Sequence, residues 1–219
     1  MVFQDRADPV AEIKLPNGYM LWALEATTQT LGADGLHAVL EKAGLSHLGA
    51  SPPPNNMELG DVTFGEFANF GVAMLELHGR AGKGLVNRMG HYMAQKTLNE
   101  LPGLFELAGP ALKLLPTNKQ LAVGLEQMKN GFASIYRPAS ISLHITIEEK
   151  NGKFTYSAAE CPSCAGKKTD EPICHLWVGA IEEGAAWVSG GKMFNVRQVA
   201  ARSMGAPACT WEIDVTPIG

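Results

Sequence analysis

Apolar and polar residues change rhythm once along this chain, near residue 140. Before that point apolar positions recur at helical spacing. Tyr19–Leu31 reads as one helix stopped at Gly32, and Leu36–Ala43 as a second stopped at Gly44. Phe64, Phe67, Ala68, Gly71, Met74 and Leu75 share one face of a third. It opens on Thr63-Phe64-Gly65-Glu66, a capping box in which the threonine hydroxyl and the glutamate each satisfy an orphan amide. Leu85, Met89, Tyr92 and Met93 mark a fourth helix. Thr117 and Gln120 repeat the capping signature ahead of a fifth stripe, Leu121, Leu125, Met128, Phe132 and Ile135. Residues 1–18 read as a polar lead-in closed by Pro16-Asn17-Gly18, and SPPPNN at 51–56 as a surface connection that cannot be helical.

Beyond Ser140 the period drops to two. Ile141, Leu143, Ile145 and Ile147 alternate with Ser142, His144, Thr146 and Glu148, as in a half-buried strand. Asn151-Gly152 is a hairpin turn whose residues both tolerate positive φ, so Lys153–Ala159 returns antiparallel. Cys174, Trp177, Val178, Ile181, Ala185 and Val188 share a helix face, with Glu182 and Glu183 opposite. Met193–Ala201 and Cys209–Val215 read as two more strands, the last with Cys209, Trp211, Ile213 and Val215 on one face. The expected class is α+β: amino-terminal helices packed on a carboxyl-terminal antiparallel sheet of about four strands, ordered strand–strand–helix–strand–strand. One domain would run over 19–219, helical over 19–136 and with sheet and cysteines over 140–216.

Composition alters this little. A chain of 219 residues, 46% hydrophobic and 18% charged, suits one globular unit that buries a core without disulfides. A net charge of −4 offers no basic footprint for nucleic acid, and Lys167–Lys168 reads as a solvated loop. MVFQDRADPV lacks the apolar run of a signal peptide, and no stretch reaches the ~18 apolar residues of a membrane span. The expected setting is the cytoplasm, where structural disulfides are rare. That turns attention to the four cysteines.

Cys161-Pro162-Ser163-Cys164 is a tight turn able to aim two thiolates at one point. Cys174 opens a helix, where amide dipoles favour a thiolate, and Cys209 opens the last strand. If the second hairpin packs beside the first, all four converge at one end of the sheet. Four thiolates make the closed tetrahedral site of structural zinc, and the same donors can hold an iron–sulfur cluster. The plainer alternatives are four reduced buried thiols, or a CxxC that cycles redox state. A thioredoxin-type arrangement fits less well, because this CxxC follows a hairpin instead of opening a helix.

Nine methionines with Phe132, Tyr136, Trp177, Trp187 and Trp211 suit an adaptable apolar cavity or plain core. His78 continues the stripe of the third helix, as a core or pocket-lining histidine. His175 lies about 100° around the helix from Cys174 and replaces a sulfur only if the helix start is distorted. His144 should face solvent; His37, His47 and His91 have no evident partner. HGRAGKGLV at 78–86 lacks the spacing and the Ser/Thr of a phosphate loop and reads as a helix connector. No nucleophile elbow is present, so no catalytic residue is assigned and a binding role is favoured over an enzyme.

Two stretches, Cys174-His175-Leu176-Trp177-Val178-Gly179 and Met204-Gly205-Ala206-Pro207-Ala208-Cys209-Thr210-Trp211-Glu212-Ile213, resemble the 4-vinyl reductase, or hydrocarbon-binding, domain family. LHAVLEKAGLSHL followed by PPNN is similar to its stand-alone bacterial members. The resemblance implies the fold of small transport-particle (TRAPP) subunits, with a twisted sheet, and a homodimer. It implies a small hydrophobic or aromatic ligand held between helices and sheet, and a zinc ion held by cysteines and one glutamate. Cys174 and Cys209 match two of those cysteines. Gln198 and Ala201 stand at the glutamate and third cysteine positions, and Cys161 and Cys164 would replace both. The resulting expectation is a cytoplasmic sensor or carrier with a four-cysteine zinc site fixing one wall of its pocket, passing its signal to a separate partner. An iron–sulfur enzyme or accessory protein of tetrapyrrole (bacteriochlorophyll-type) metabolism, and a ligand-free dimeric scaffold, are the alternatives.

Overall fold

The structure, a computed structural model, describes residues 2–101 and 112–218. Its α+β class matches expectation: helices occupy most of the chain up to Tyr136, and a four-stranded sheet follows. Helix α1 (Asn17–Ala43) is broken at Gly32, whose φ of 74° and ψ of 179° are not helical, and ends at Gly44 in the left-handed region. A short α2 (His47–Ala50) precedes α3 (Phe64–His78). Both halves of the expected capping box form: Glu66 N donates to Thr63 Oγ1 at 3.2 Å and Thr63 N to Glu66 Oε2 at 2.7 Å. Gly79 alone turns the chain into α4 (Arg80–Glu100); the rest of the glycine-rich stretch read as a connector, Gly82 and Gly84 included, is already helix.

The second capping signature does not form. Helix α5 (Thr117–Tyr136) starts one residue early, because the Pro116 carbonyl already accepts from the Lys119 and Gln120 amides. Gln120 turns back to donate to the Leu112 carbonyl at 3.1 Å.

The sheet runs in the order β4 (Ile145–Lys150), β5 (Lys153–Ala158), β8 (Cys209–Asp214), β7 (Val196–Ala200), all antiparallel, with α6 (His175–Ser189) between the hairpins. Asn151 and Gly152 take positive φ at the turn, as their types require. The first strand begins at Ile145, four residues later than its alternation suggests, because β5 ends at Ala158, the residue opposite Ile145. Before that point His144 N donates instead to the Glu160 carboxylate.

The stretch read as a lead-in is built into the fold. Strand β1 (Phe3–Asp5) pairs with β6 (Lys167–Thr169), and β2 (Lys14–Pro16) with β3 (Leu59–Thr63). Lys167, expected in solvent, is buried and ion-paired to Asp5, and only Lys168 is exposed. Helices α4 and α6 cross backbone to backbone. A Cβ at Gly90 would sit 1.9 Å from the Leu176 carbonyl oxygen, and one at Gly179 2.0 Å from that of Asn87. No described helix is long and apolar enough to cross a membrane.

Candidate functional site

Three elements bring the cysteines together. The β5–β8 ladder sets Ala158 opposite Cys209, so the chain leaving β5 delivers Cys161 and Cys164 beside the start of β8. A single 3-10 turn, Pro162–Cys164, carries the CxxC, and Cys174 is the residue capping α6. The Sγ atoms all lie within 4.8 Å of one another, with Cys161–Cys174 at 3.6 Å, Cys164–Cys209 at 3.3 Å and Cys174–Cys209 at 3.8 Å. All four residues are fully buried. His175 is not part of the cluster. Gln198 holds the Cys174 amide through its side-chain oxygen, at 3.1 Å.

Burial pushes the Cys161 and Cys174 thiols well up. Cys209 is held far down, because the Cys161, Cys164 and Cys174 thiols donate to its sulfur; the Arg202 amide also donates to it, at 3.4 Å. Beside them Arg202 donates to Asp8 at 2.8 Å, and Asp8 also accepts the Gly166 amide at 3.0 Å. Burial alone would raise the Asp8 carboxyl; Arg202 and the Gly166 and Val10 amides outweigh it and hold the carboxyl below its usual range. The amino-terminal segment therefore straps the cysteine turn from outside.

A cavity of about 100 Å³ opens next to this cluster, lined by residues that include Tyr19, Met93, Met128, Phe132, Pro162 and Trp177. Pro162 lies between two of the cysteines in sequence and Trp177 is one helical turn beyond a third, so cluster and cavity share a wall. Of the residues expected in a pocket, Phe132, Trp177 and Trp187 line this one, the Phe132 and Trp177 ring centroids 5.1 Å apart. Trp211 is buried behind Trp177 at 5.5 Å, and Tyr136 packs on Phe64 at 5.9 Å; neither reaches the cavity. His78 ends α3, half-buried and away from the lining.

Sequence reasoning missed Tyr19 as lining, since it reads as ordinary helix core, and named the methionines only as a group, without singling out Met93 and Met128. It also missed His91, which bridges α4 and α6 by pairing with Glu182 at 3.1 Å and Glu183 at 3.0 Å. The available signal was the polar face of α4, where Asn87, His91 and Gln95 recur every four residues opposite two adjacent glutamates.

No family model matches the chain, and no curated protein matches it. Solved structures do. An H-NOX domain from work on heme distortion in the H-NOX family shares 13% identity at a TM-score of 0.63, over 94% of this chain and 97% of that one. The Fe(II) unliganded H-NOX protein from K. algicida shares 12% at 0.60, over 94% and 97%. An oxygen-binding H-NOX domain related to soluble guanylate cyclases shares 13% at 0.58, over 90% and 94%. At this identity the likeness establishes a shared fold, that of the H-NOX domains.

This corrects the family expectation. The fold neighbours are H-NOX domains, and nothing supports a 4-vinyl reductase or TRAPP-like assignment. The motifs behind it, a helix opening on Cys174 and a strand opening on Cys209 with alternating apolar residues, are local patterns that unrelated folds share. The functions drawn from it, a zinc-containing hydrocarbon sensor and an iron–sulfur protein of tetrapyrrole metabolism, fall with it. Zinc and iron–sulfur find no support as cofactors either, since heme is the group named among the neighbours.

The cavity can be held against what heme requires. Heme iron takes an imidazole, thiolate, thioether or phenolate ligand. All six histidines are among the described residues and none lines the cavity, while all four cysteines belong to the cluster. Burial keeps the Tyr19 phenol protonated. Met93 and Met128 offer thioethers alone, and no described Lys or Arg lines the cavity to meet carboxylates. About 100 Å³ is also a third of the ~300 Å³ at which cofactor-sized pockets begin. The residues lining this cavity do not fit heme.

Proposed function

We propose that this chain is a sensor-type domain on the H-NOX fold that takes a small, volatile apolar molecule directly into its cavity, without heme, and passes occupancy to a partner protein. One observation carries this: an almost wholly apolar cavity of about 100 Å³ where α1, α4, α5 and α6 meet. An apolar cavity of about 150 Å³ holds benzene or xenon, so by that scale this one holds roughly four non-hydrogen atoms. At no more than ~1.5 kcal/mol per atom, such a ligand gains at most ~6 kcal/mol, a Kd of tens of micromolar. A diatomic gas would gain at most ~3 kcal/mol and bind only in the millimolar range. Magnitude therefore favours a ligand of three to five heavy atoms. The thiols, buried and unpaired by disulfides, suit a reducing cytoplasm.

The neighbours' gas binding is the second reading, favoured by the fold alone. The test is a titration of the purified protein with xenon and with isobutene, read by tryptophan fluorescence and amide shifts, beside a titration with hemin. Saturable shifts near Phe132 and Trp177, abolished in Ala94→Leu, with no stoichiometric Soret band, are expected. A Soret band at one hemin per chain would overturn this reading and restore the heme one.

A further inference from the structure

The cysteine cluster carries an inference that does not depend on the cavity's ligand. A tetrahedral ion with metal–sulfur bonds of about 2.3 Å sets its sulfurs about 3.8 Å apart. Three of the pairs, at 3.3, 3.6 and 3.8 Å, already approach that spacing. We propose that Cys161, Cys164, Cys174 and Cys209 bind one thiophilic metal ion that locks the cavity wall to the sheet.

Two further observations, both of buried donors without an acceptor, point to negative charge at this place. Arg202, only 9% exposed, has a buried Nη1 without a hydrogen-bond partner, while its amide donates to Cys209. Ser163, inside the CxxC turn, has a buried hydroxyl without a partner. Neutral thiols are poor acceptors for such donors. Thiolates gathered on a cation are strong ones, and donors of this kind tune metal sites from outside the ligand shell. Soft sulfur donors in a closed tetrahedral shell select thiophilic ions over magnesium or calcium, and they leave no open coordination position for chemistry. The role is structural. The ion would tie the turn before β6, the start of α6 and the start of β8 into one unit, and through Pro162 and Trp177 hold one side of the cavity.

Native mass spectrometry of the protein as purified, under reducing conditions, tests this. The expected mass is the chain plus one ion, with four thiols unreactive to alkylation until denaturant is added. Chelator-treated protein titrated with cobalt(II) should develop the visible bands of tetrahedral cobalt–thiolate at one equivalent. Cys209→Ser should lose them. Because that variant can also fail to fold, Arg202→Gln is the second variant: it keeps all four sulfurs and should weaken cobalt(II) binding 10- to 100-fold. A mass of the bare chain with four reactive thiols and no cobalt bands overturns the proposal, as does a chain about four daltons light, which would mean two disulfides. Neither outcome bears on the hydrocarbon titration, so the two readings fail separately.

Discussion

The cavity and the cysteine cluster meet at Pro162 and Trp177 and are otherwise opposites. One is space with almost no polar atoms; the other is four buried sulfurs drawn to within 4.8 Å of one another. The first can discriminate ligands only by size and shape, because it has nothing to hydrogen-bond. The second discriminates by softness and charge, because its geometry is nearly closed before anything binds. A molecule that carries both can use the cluster for rigidity and leave the cavity free to respond.

The sharpest way to break the comparison is to remove the shared wall. Trp177→Ala should destabilise the chain by about 3–5 kcal/mol, as for other buried large-to-small changes. In denaturant melts it should also admit larger hydrocarbons than the parent. Unchanged ligand size with lowered stability would mean that Trp177 is core and not wall.

Next is the strap on the cluster side. Asp8→Asn leaves Arg202 buried without its carboxylate and should cost about 3 kcal/mol at pH 7. Since the folded Asp8 carboxyl lies below its ordinary value, its stabilisation is present above about pH 4, the unfolded value, and is lost as pH falls through the folded one. The difference between parent and variant should therefore shrink in acid; a difference constant with pH would contradict the pairing.

The smallest effect belongs to the cavity side. Glu182 and Glu183 hold the His91 imidazole above its ordinary range, Glu182 most strongly, while partial burial opposes them. Asn87 and Gln95 of α4 are the uncharged neighbours that donate to the same two carboxylates. A raised folded value means the clamp is fully present below about pH 6.5, the unfolded value, and fades as pH rises through the folded one. His91→Gln should cost about 1 kcal/mol at pH 6 and less at pH 8, the site being partly exposed. Equal cost at both values would leave His91 a neutral packing residue.

Much of the local structure was legible. Gly32 and Gly44 interrupt helices, the Thr63–Glu66 box closes both its bonds, Asn151-Gly152 turns, and the four cysteines converge. Each depends on residues a few positions apart, or on strand pairing that alternation and the hairpin turn prescribe. Thr117 misled because a proline carbonyl one position earlier had taken the amides. Lys167 misled because its partner, Asp5, lies 162 residues away. The family motif misled because a strand's alternation is shared by unrelated folds.

What the sequence determined by itself was therefore the long helices, the two hairpins of the main sheet, the Thr63–Glu66 cap and the cysteines that meet, all written in spacing along the chain. Only the tertiary structure decided that the fold is that of the H-NOX domains, that Tyr136 and Trp211 are core while Tyr19 and Met128 face a cavity, and that no histidine reaches it. The reason is physical: a void has no residues of its own. It is whatever remains where side chains from distant elements stop short of touching, and no local pattern records where that happens.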